Sequence, residues 1–318
     1  MYNTASSVAW LPEKEAPAVP KHILSSADLS GNEIRLILDA AKILKEERKA
    51  RIPVYANQGL LLSMIFEKQS LRTRVSFETA FRELGGHAIY LTKADIDPGK
   101  RESVADIAQT LSTWSTLMVA RMNSHANLCE LASHSNVPVI NALTDSEHPC
   151  QALADLMTVE EHFGTSKMKL AWIGDGNNVA NSFAITASLL GHDVVVCTPP
   201  GYEASNEALS YPNVTSIYNP FEAAENADVI YTDVWVSMGQ EEESAVREKR
   251  FAKYQINAEL MSLAKQEAVF LHCLPAKRGY EVSDEVIDGP QSAVFQQAEN
   301  RLHAQKALMK LLMAGVLK

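Results

Sequence analysis

Short apolar runs alternate with amphipathic stretches along most of this chain. Residues 60–66 form one such run, and Phe77, Phe81 and Leu84 then fall on one face of a helix that Gly85 ends. Further apolar runs predict strands at 88–91, 117–121, 137–140, 169–174, 194–197, 229–232 and 268–271. Because parallel strands are joined by helical crossovers, this α/β alternation predicts parallel sheets with helices on both faces.

At 318 residues the chain is long for one hydrophobic core, so we expect two domains. A helical pattern at 149–163 has Pro at its first position and Gly just past its end, where these residues are favoured, and we place the boundary there. We predict a first domain over 1–150 and a second over 151–298. An amphipathic C-terminal helix within 299–318 is expected to pack back on the first domain.

Composition restricts the partners that this chain can have. The formal net charge of -10 argues against a nucleic acid or an acidic membrane as the main partner. An anionic substrate would therefore need a local cluster of arginines. The four cysteines form no CxxC pair, no apolar run approaches the roughly 20 residues of a membrane span, and the first residues lack an apolar signal core. We expect a soluble cytoplasmic protein, with residues 1–20 as an irregular arm. The charged run at 240–250 is expected to be a solvated face, with part of a closing flap as the alternative.

The loop between the first strand and its helix carries an unusual group of side chains. Ser70 stands where a helix cap belongs, and Arg72 and Arg74 flank Thr73 in the first turn. Cations at a helix start oppose the helix dipole. Backbone N–H groups, guanidinium forks and hydroxyls together suit a bound phosphate or phosphoryl ester. Ordinary surface arginines in a solvated loop are the alternative interpretation of these residues alone.

Other polar and reactive residues also follow predicted strands. They are Arg121, His148, Gln151, Asn177, Asn178, Asp233 and the stretch His272-Cys273-Leu274-Pro275. Ligands bind at the carboxyl ends of strands in open α/β sheets, so we expect these residues to face one cleft between the two domains. Four of them have a structural alternative: an ion pair for Arg121, a cap for His148 or Asp233, and a buried apolar contact for Cys273.

The glycine-rich stretch at 174–180 suggests a dinucleotide site but departs from that pattern. Val179 stands where the fingerprint has Gly or Ala, and the acidic ribose partner is missing from the next strand. An NAD-dependent oxidoreductase is therefore a weaker alternative. The sequence has no Walker loop, G-x-S-x-G elbow or clustered zinc-ligand spacing, so we expect neither cofactor nor metal.

Three stretches together resemble the aspartate/ornithine carbamoyltransferase family: FEKQSLRTR at 66–74, HPCQ at 148–151 and HCLP at 272–275. Two more, GDGNNVAN at 174–181 and DVWVSMG at 233–239, resemble its ornithine-specific branch. The SMG part is the most discriminating, because aspartate enzymes lack it. The order and spacing of the motifs match from near residue 20 to the C-terminus.

The resemblance implies carbamoyl transfer from carbamoyl phosphate to the side-chain amine of L-ornithine, which gives L-citrulline and phosphate in arginine metabolism. It implies that carbamoyl phosphate is bound by Ser70, Leu71, Arg72, Thr73, Arg121, His148, Gln151, Cys273, Leu274 and Arg301. It implies that ornithine is bound by Asn178, Asp233, Ser237 and Met238. The catalytic residues that it implies are Arg121, His148, Asp233 and Cys273. Positioning, without a covalent intermediate, would supply much of the acceleration.

The resemblance also implies a homotrimer, or a multiple of one, with active sites shared between subunits. Two positions depart from it. Leu71 stands where many relatives have Thr, and Asp97, in a polar stretch predicted to be a loop at 92–102, stands where many have a Gln that reaches carbamoyl phosphate from a neighbouring subunit. A carboxylate there would repel phosphate unless Lys100 or Arg101 compensates. Putrescine or an acylated ornithine as acceptor, or a catalytically silent relative, are the alternatives within the family.

Overall fold

The computed structural model describes residues 21–52, 59–236 and 241–317. In this part of the chain the strands form two sheets in which every pairing is parallel. The first sheet contains β1 (Leu61–Phe66), β2 (His87–Thr92), β3 (Leu117–Arg121) and β4 (Val139–Leu143), in the order β2-β1-β3-β4. The second contains β5 (Lys169–Ile173), β6 (Asp193–Cys197), β7 (Val214–Ile217), β8 (Val229–Thr232) and β9 (Val269–His272), in the order β7-β6-β5-β8-β9. The predicted two-sheet α/β fold is confirmed.

Helices flank both sheets. Those of the first half are α1 (Gly31–Lys49), α2 (Leu71–Glu83), α3 (Lys93–Ile96), α4 (Val104–Ser112), α5 (His125–Ser133) and α6 (Pro149–Phe163). Those that follow are α7 (Asn178–Leu189), α8 (Asn206–Leu209), α9 (Pro220–Ala224), α10 (Ser244–Phe251), α11 (Ala258–Leu263), α12 (Asp284–Ile287) and α13 (Val294–Met313). Short 3-10 turns lie at Ser26–Asp28, Glu241–Glu243 and Ala252–Tyr254. No helix in the described ranges is long and apolar enough to cross a membrane.

The central strands are apolar because both of their faces are covered. All but the first residue of β1 is buried, as is every residue of β3 and β8. Around β5 and β8 the Tyr231 ring packs edge to face with the rings of Trp172 and Phe183, with 4.7 Å between the centroids of Trp172 and Tyr231. These cores fix the positions of the strand ends, from which the functional side chains project.

The C-terminal helix α13 joins the two halves. It packs against α1, α2 and α6 of the first half and also contacts β9 of the second. It begins at Val294, earlier than the predicted start near 299, because Val294 is buried in the core of the second half. The predicted domain division, 1–150 and 151–298, remains a prediction.

Two further predicted segments differ from the structure, and one strand was not predicted. β4 begins at Val139 rather than 137, because Pro138 has no N–H to donate to the sheet. The stretch predicted as a loop at 92–102 contains α3, whose start is closed by Thr92, which donates to the carboxylate of Asp95. The half-exposed edge strand β7 was not predicted, because it lacks a strong apolar pattern. The predicted arm at 1–20 lies outside the described residues.

Candidate active site

A cleft of about 800 Å³ lies between the two sheets at the carboxyl ends of β1, β3, β5, β8 and β9. Twelve of the residues singled out from the sequence line it: Ser70, Leu71, Arg72, Thr73, Arg121, His148, Gln151, Asn178, Asp233, Cys273, Leu274 and Arg301. Ser237 and Met238 lie outside the described residues. The structure therefore brings together every described residue that the resemblance assigns to substrate binding or catalysis, whereas Arg74 and His272 do not line the cleft.

Ser70 begins helix α2 at one end of the cleft. Its hydroxyl accepts a hydrogen bond from the Thr73 backbone N–H at 3.3 Å and donates to the Thr73 hydroxyl at 3.0 Å. The side chain of Leu71 is 74 % exposed, so this residue offers the cleft its backbone rather than a polar side chain. Arg74 does not line the cleft, because its guanidinium stacks on the Tyr90 ring at 4.1 Å. Only one of the two arginines in the first turn thus belongs to the site.

Three guanidinium groups, those of Arg72, Arg121 and Arg301, converge on this end of the cleft. Burial lowers the pKa of each, and the pKa of Arg121 falls to about 10 because Arg301 and Arg72 also repel its charge. All three remain protonated near neutral pH. Such a concentration of positive charge in an acidic protein suits a dianion held by charge-assisted hydrogen bonds.

Arg301 reaches this cluster from helix α13. Its guanidinium donates to the Gln151 amide oxygen at 2.5 Å and to the Thr73 hydroxyl at 3.2 Å. Gln151 lies on α6 and Thr73 on α2, so one side chain joins three helices beneath the cleft. The sequence offered no local signal for Arg301, which was identified by resemblance alone.

His148 caps the start of α6, and its backbone N–H donates to the Ser182 hydroxyl at 2.8 Å. Its Nδ1 atom, like Nε of Arg121, is buried and has no hydrogen-bond partner among the described residues. Burial, with the nearby charges of Arg301 and Arg121, holds the pKa of His148 well below its ordinary value. The imidazole is therefore neutral at physiological pH and can donate one hydrogen bond to a developing oxyanion.

Asp233 and Cys273 form the opposite wall of the cleft. The Cys273 thiol donates to Asp233 Oδ1 at 3.1 Å, and the Asn177 amide donates to Asp233 Oδ2 at 2.9 Å. Burial, reinforced by the Asp233 carboxylate, raises the pKa of Cys273 well above its usual value. A protonated thiol is a poor nucleophile, which favours a positioning role over covalent catalysis.

The turn after Cys273 is held by a buried histidine. Leu274 has a left-handed backbone with φ of 58°, and its N–H donates to His272 Nδ1 at 2.9 Å. The other His272 nitrogen faces Glu281 at 3.3 Å. Asp233, His272 and Cys273 offer ligand atoms within 4.8 Å of one another. However, the accepting role of His272 Nδ1 and the raised pKa of the thiol both oppose metal binding there.

Helix α7 ties the second half to the first at the cleft. Asn178 donates to the Thr144 carbonyl at 2.6 Å, and Asn181 donates to the Ser146 carbonyl at 3.0 Å. Among the described residues no hydrogen bond reaches the Asn178 amide oxygen, so this atom can accept one from a ligand. Gly176 packs so closely on the loop at 203–204 that a Cβ would lie 2.2 Å from the Ala204 nitrogen. Chain packing thus accounts for this glycine without a dinucleotide.

Sequence reasoning did not assign Asp155 or Arg247 to the site. Asp155, below the cleft, accepts from the amides of Gln151 and Gln297, each at 2.7 Å, and burial raises its pKa to about 7. Its spacing of four residues from Gln151 on a helix was the available signal. Arg247 is buried and donates to the Asp175 carboxylate at 2.9 Å, so the expected solvated face at 240–250 is wrong at this position.

Asp97 does not line the cleft of the single chain. It has a left-handed backbone with φ of 31° at the end of α3, and its carboxylate lies 3.8 Å from the Lys93 amine. Arg101 donates instead to the Asp95 carbonyl at 2.8 Å. In the described part of the chain, the cation beside the Asp97 carboxylate is thus Lys93 rather than Arg101.

Comparison with known proteins agrees with this geometry. The carbamoyl-P binding domain of the aspartate/ornithine carbamoyltransferase family matches residues 21–161, and the Asp/Orn binding domain of the same family matches residues 166–312. The ornithine carbamoyltransferase of Methanosarcina mazei is 48% identical over 92% of this chain and 99% of its own length. The anabolic ornithine carbamoyltransferase of Pyrococcus furiosus is 47% identical over 93% of this chain and 97% of its own.

Solved structures give the same result. The ornithine carbamoyltransferase of Pyrococcus furiosus superimposes with a TM-score of 0.90 at 46% identity, covering 93% of this chain and 98% of the other. The enzyme of Thermus thermophilus superimposes with a TM-score of 0.85 at 42% identity, covering 93% and 99%. With both halves of the chain matched and the cleft between them lined by the motif residues, this protein belongs to the aspartate/ornithine carbamoyltransferase family.

Proposed function

We propose that this protein is an ornithine carbamoyltransferase, which transfers the carbamoyl group from carbamoyl phosphate to the side-chain amine of L-ornithine and yields L-citrulline and phosphate. The observation that carries the proposal is the opposition of two walls in one cleft. Arg72, Arg121 and Arg301 make one wall cationic, and Asp233 makes the other anionic. The cationic wall suits a phosphate-containing donor and the anionic wall suits an amine acceptor, so the cleft can hold the two in line for reaction.

On the donor wall, the Ser70 cap, the Leu71 backbone N–H, Arg72, Thr73 and Arg121 are suited to the phosphate. His148 and Arg121 are suited to the carbonyl oxygen, since each has a buried nitrogen without a partner in the described network. The carbonyl oxygen becomes an oxyanion when the amine attacks, and removal of one such donor typically costs on the order of 10²–10³ in rate. Gln151, Cys273, Leu274 and Arg301 complete the proposed carbamoyl phosphate site.

On the acceptor wall, we assign Asp233 and Cys273 to the reacting amine, and Asn178, Ser237 and Met238 to the amino-acid end of ornithine. The amine must lose a proton before it attacks, because its unperturbed pKa is near that of lysine, about 10.4. Removal from water in the cleft favours the neutral form. The first proton goes to solvent, and the neutral nitrogen bonds to the carbonyl carbon. The carbon–oxygen bond to phosphate then breaks, and the second proton, which the nitrogen loses after the attack, leaves on the phosphate.

An acceptor panel tests the reaction. Purified protein with carbamoyl phosphate is expected to carbamoylate ornithine at least about tenfold faster than putrescine, acetylornithine or aspartate, measured as kcat/KM by product formation. Selectivity of this size requires recognition at both ends of the acceptor. A tenfold preference for another amine would overturn the assignment of ornithine, and no turnover with any amine would overturn the reaction.

We further propose a homotrimer, or a multiple of one, in the cytoplasm, acting in arginine biosynthesis. The anabolic relative from Pyrococcus furiosus supports the biosynthetic direction. Light scattering coupled to size exclusion tests the assembly, with an expected mass that is a multiple of three chains of 35.0 kDa. A monomer at micromolar concentration would contradict it.

A further inference from the structure

Asn177 makes two kinds of contact at the start of helix α7. Its Oδ1 atom accepts hydrogen bonds from the backbone N–H groups of Val179 at 3.0 Å and Ala180 at 3.1 Å. Its Nδ2 atom donates to Asp233 Oδ2 at 2.9 Å. The first contact is ordinary helix capping, and the second reaches across from the end of β5 to the end of β8.

The capping contact determines what the amide presents to Asp233. Backbone N–H groups can only donate, so the amide oxygen must face the helix and the NH₂ group must face the carboxylate. Rotation of the amide by half a turn would place its oxygen against Asp233 and its NH₂ group against two N–H donors. The helix start therefore holds the Asn177 donor in one orientation.

The Asp233 carboxylate is thus held from two sides. Cys273 donates to Oδ1 at 3.1 Å from the end of β9, and Asn177 donates to Oδ2 from the end of β5. Each oxygen retains further acceptor capacity for an incoming amine. A carboxylate with one donor on each oxygen cannot rotate without losing both hydrogen bonds.

We propose that Asn177 is a positioning residue for carbamoyl transfer: it fixes the plane of the Asp233 carboxylate so that this group meets the side-chain amine of the acceptor. The inference rests on the proposed function, in which Asp233 faces that amine. The proposed role distinguishes Asn177 from its neighbour Asn178, which donates to the Thr144 carbonyl and not to Asp233.

The test uses substitutions that keep the helix cap and change the donor. Asn177→Ser retains a good capping residue but cannot reach Asp233 with an N–H. Asn177→Asp also retains the cap but places a second carboxylate beside Asp233. Asn257→Ser is a matched control, because Asn257 caps α11 by accepting from Leu260 N–H and does not line the cleft.

The expected result is a loss confined to the acceptor. Loss of one hydrogen bond to a charged group lowers a rate or equilibrium constant by about 10- to 100-fold. We therefore expect kcat/KM for ornithine to fall by that factor in Asn177→Ser and by more in Asn177→Asp. The KM for carbamoyl phosphate and the melting temperature stay close to those of the wild type and of Asn257→Ser. Equal kcat/KM for ornithine in Asn177→Ser and wild type would overturn the proposal.

A double-mutant cycle distinguishes positioning from a structural role. If Asn177 acts through Asp233, then Asn177→Ser changes kcat/KM by less than about threefold when Asp233→Asn is already present. Additive losses would show that Asn177 acts through the helix, which contradicts the proposal. Near-normal activity of Asp233→Asn alone would refute both the role of Asp233 and the positioning role of Asn177. Citrulline formation by the wild type, measured alongside, tests the proposed reaction separately.

Discussion

The two walls of the cleft are assembled in different ways. The donor wall depends on contacts between residues far apart in sequence, since Arg301 of α13 donates to Gln151 of α6 and Thr73 of α2. The acceptor wall consists of neighbouring strand ends of one sheet, where Asn177, Asp233 and Cys273 follow β5, β8 and β9. The cationic wall therefore combines the ends of β1 and β3 with helix packing, whereas the anionic wall is built by strand order alone.

This difference explains how each wall holds its charge. Arg72, Arg121 and Arg301 repel one another, and the burial of Arg301 is compensated by two neutral hydrogen-bond acceptors, Gln151 and Thr73. Asp233 is compensated by neutral donors, a thiol and an amide. Neither wall neutralises its own charge within the described contacts, so each retains affinity for a ligand of opposite sign.

The largest expected effect is on the donor wall. Arg72→Ala should lower kcat/KM for carbamoyl phosphate by at least about 10³-fold with the fold intact, because it removes a charge that no other residue replaces. Arg74→Ala is the matched control from the same turn, since Arg74 points to Tyr90 and Glu78 instead of the cleft. Steady-state kinetics and circular dichroism measure both. Near-normal turnover by Arg72→Ala would contradict the assignment of Arg72 to the phosphate of carbamoyl phosphate.

The next prediction concerns the carboxyl group that lies beneath the donor wall. The pKa of Asp155 is raised to about 7 in the folded protein, from an ordinary value of 3.8. The folded state therefore keeps a proton that the unfolded chain loses between about pH 4 and 7, and this group makes stability fall as pH rises through that window.

Asp155→Asn removes this dependence. The free energy of unfolding of Asp155→Asn minus that of wild type should rise between pH 5 and 7 and level off above pH 7. The total rise is expected to be on the order of a few kcal/mol. Urea unfolding at several pH values measures it, with the exposed Asp193→Asn as the control. Parallel stability profiles for wild type and Asp155→Asn would show that the carboxyl is already ionised in the folded state at pH 5.

A smaller effect is expected at the thiol of the acceptor wall. Cys273→Ala removes one donor to Asp233 but leaves the Asn177 hydrogen bond, so kcat should fall by about 10-fold. Burial keeps Cys273 protonated, so a loss as large as that of a covalent nucleophile, of order 10⁴ or more, is not expected. Such a loss, or a trapped carbamoyl-enzyme in mass spectrometry, would contradict the positioning role.

The smallest expected effect is at position 71. Leu71→Thr restores the residue that the family resemblance favours, but the side chain is largely exposed and the position is assigned only a backbone N–H. We expect kcat and the KM for carbamoyl phosphate to change by less than about twofold, as measured by initial rates. A larger gain in affinity would show that a hydroxyl at this position binds the donor.

The sequence was most informative where local chemistry decides structure. The ends of α6, the Ser70 cap and the strand-end positions of Arg121 and Asp233 were predicted correctly, because apolar periodicity and capping residues act over a few positions. The cleft followed from the rule that ligands bind at the carboxyl ends of parallel strands.

The remaining features depend on partners that no local pattern reveals. Arg247 is buried beside Asp175, which comes from a different part of the chain and pairs with it. The start of α13 at Val294 reflects burial in the second core, and the role of Asn177 depends on the Asp233 carboxylate. Each of these requires the tertiary fold, which periodicity alone does not specify.

A crystal structure with a bisubstrate mimic, ornithine carrying a phosphonoacetyl group on its side-chain nitrogen, tests the central claim most directly. The phosphonate is expected among Ser70, Arg72 and Arg121, with the substituted nitrogen beside Asp233 and Cys273. A mimic bound in the reverse direction, or outside the cleft between the two sheets, would contradict the assignment of donor and acceptor walls.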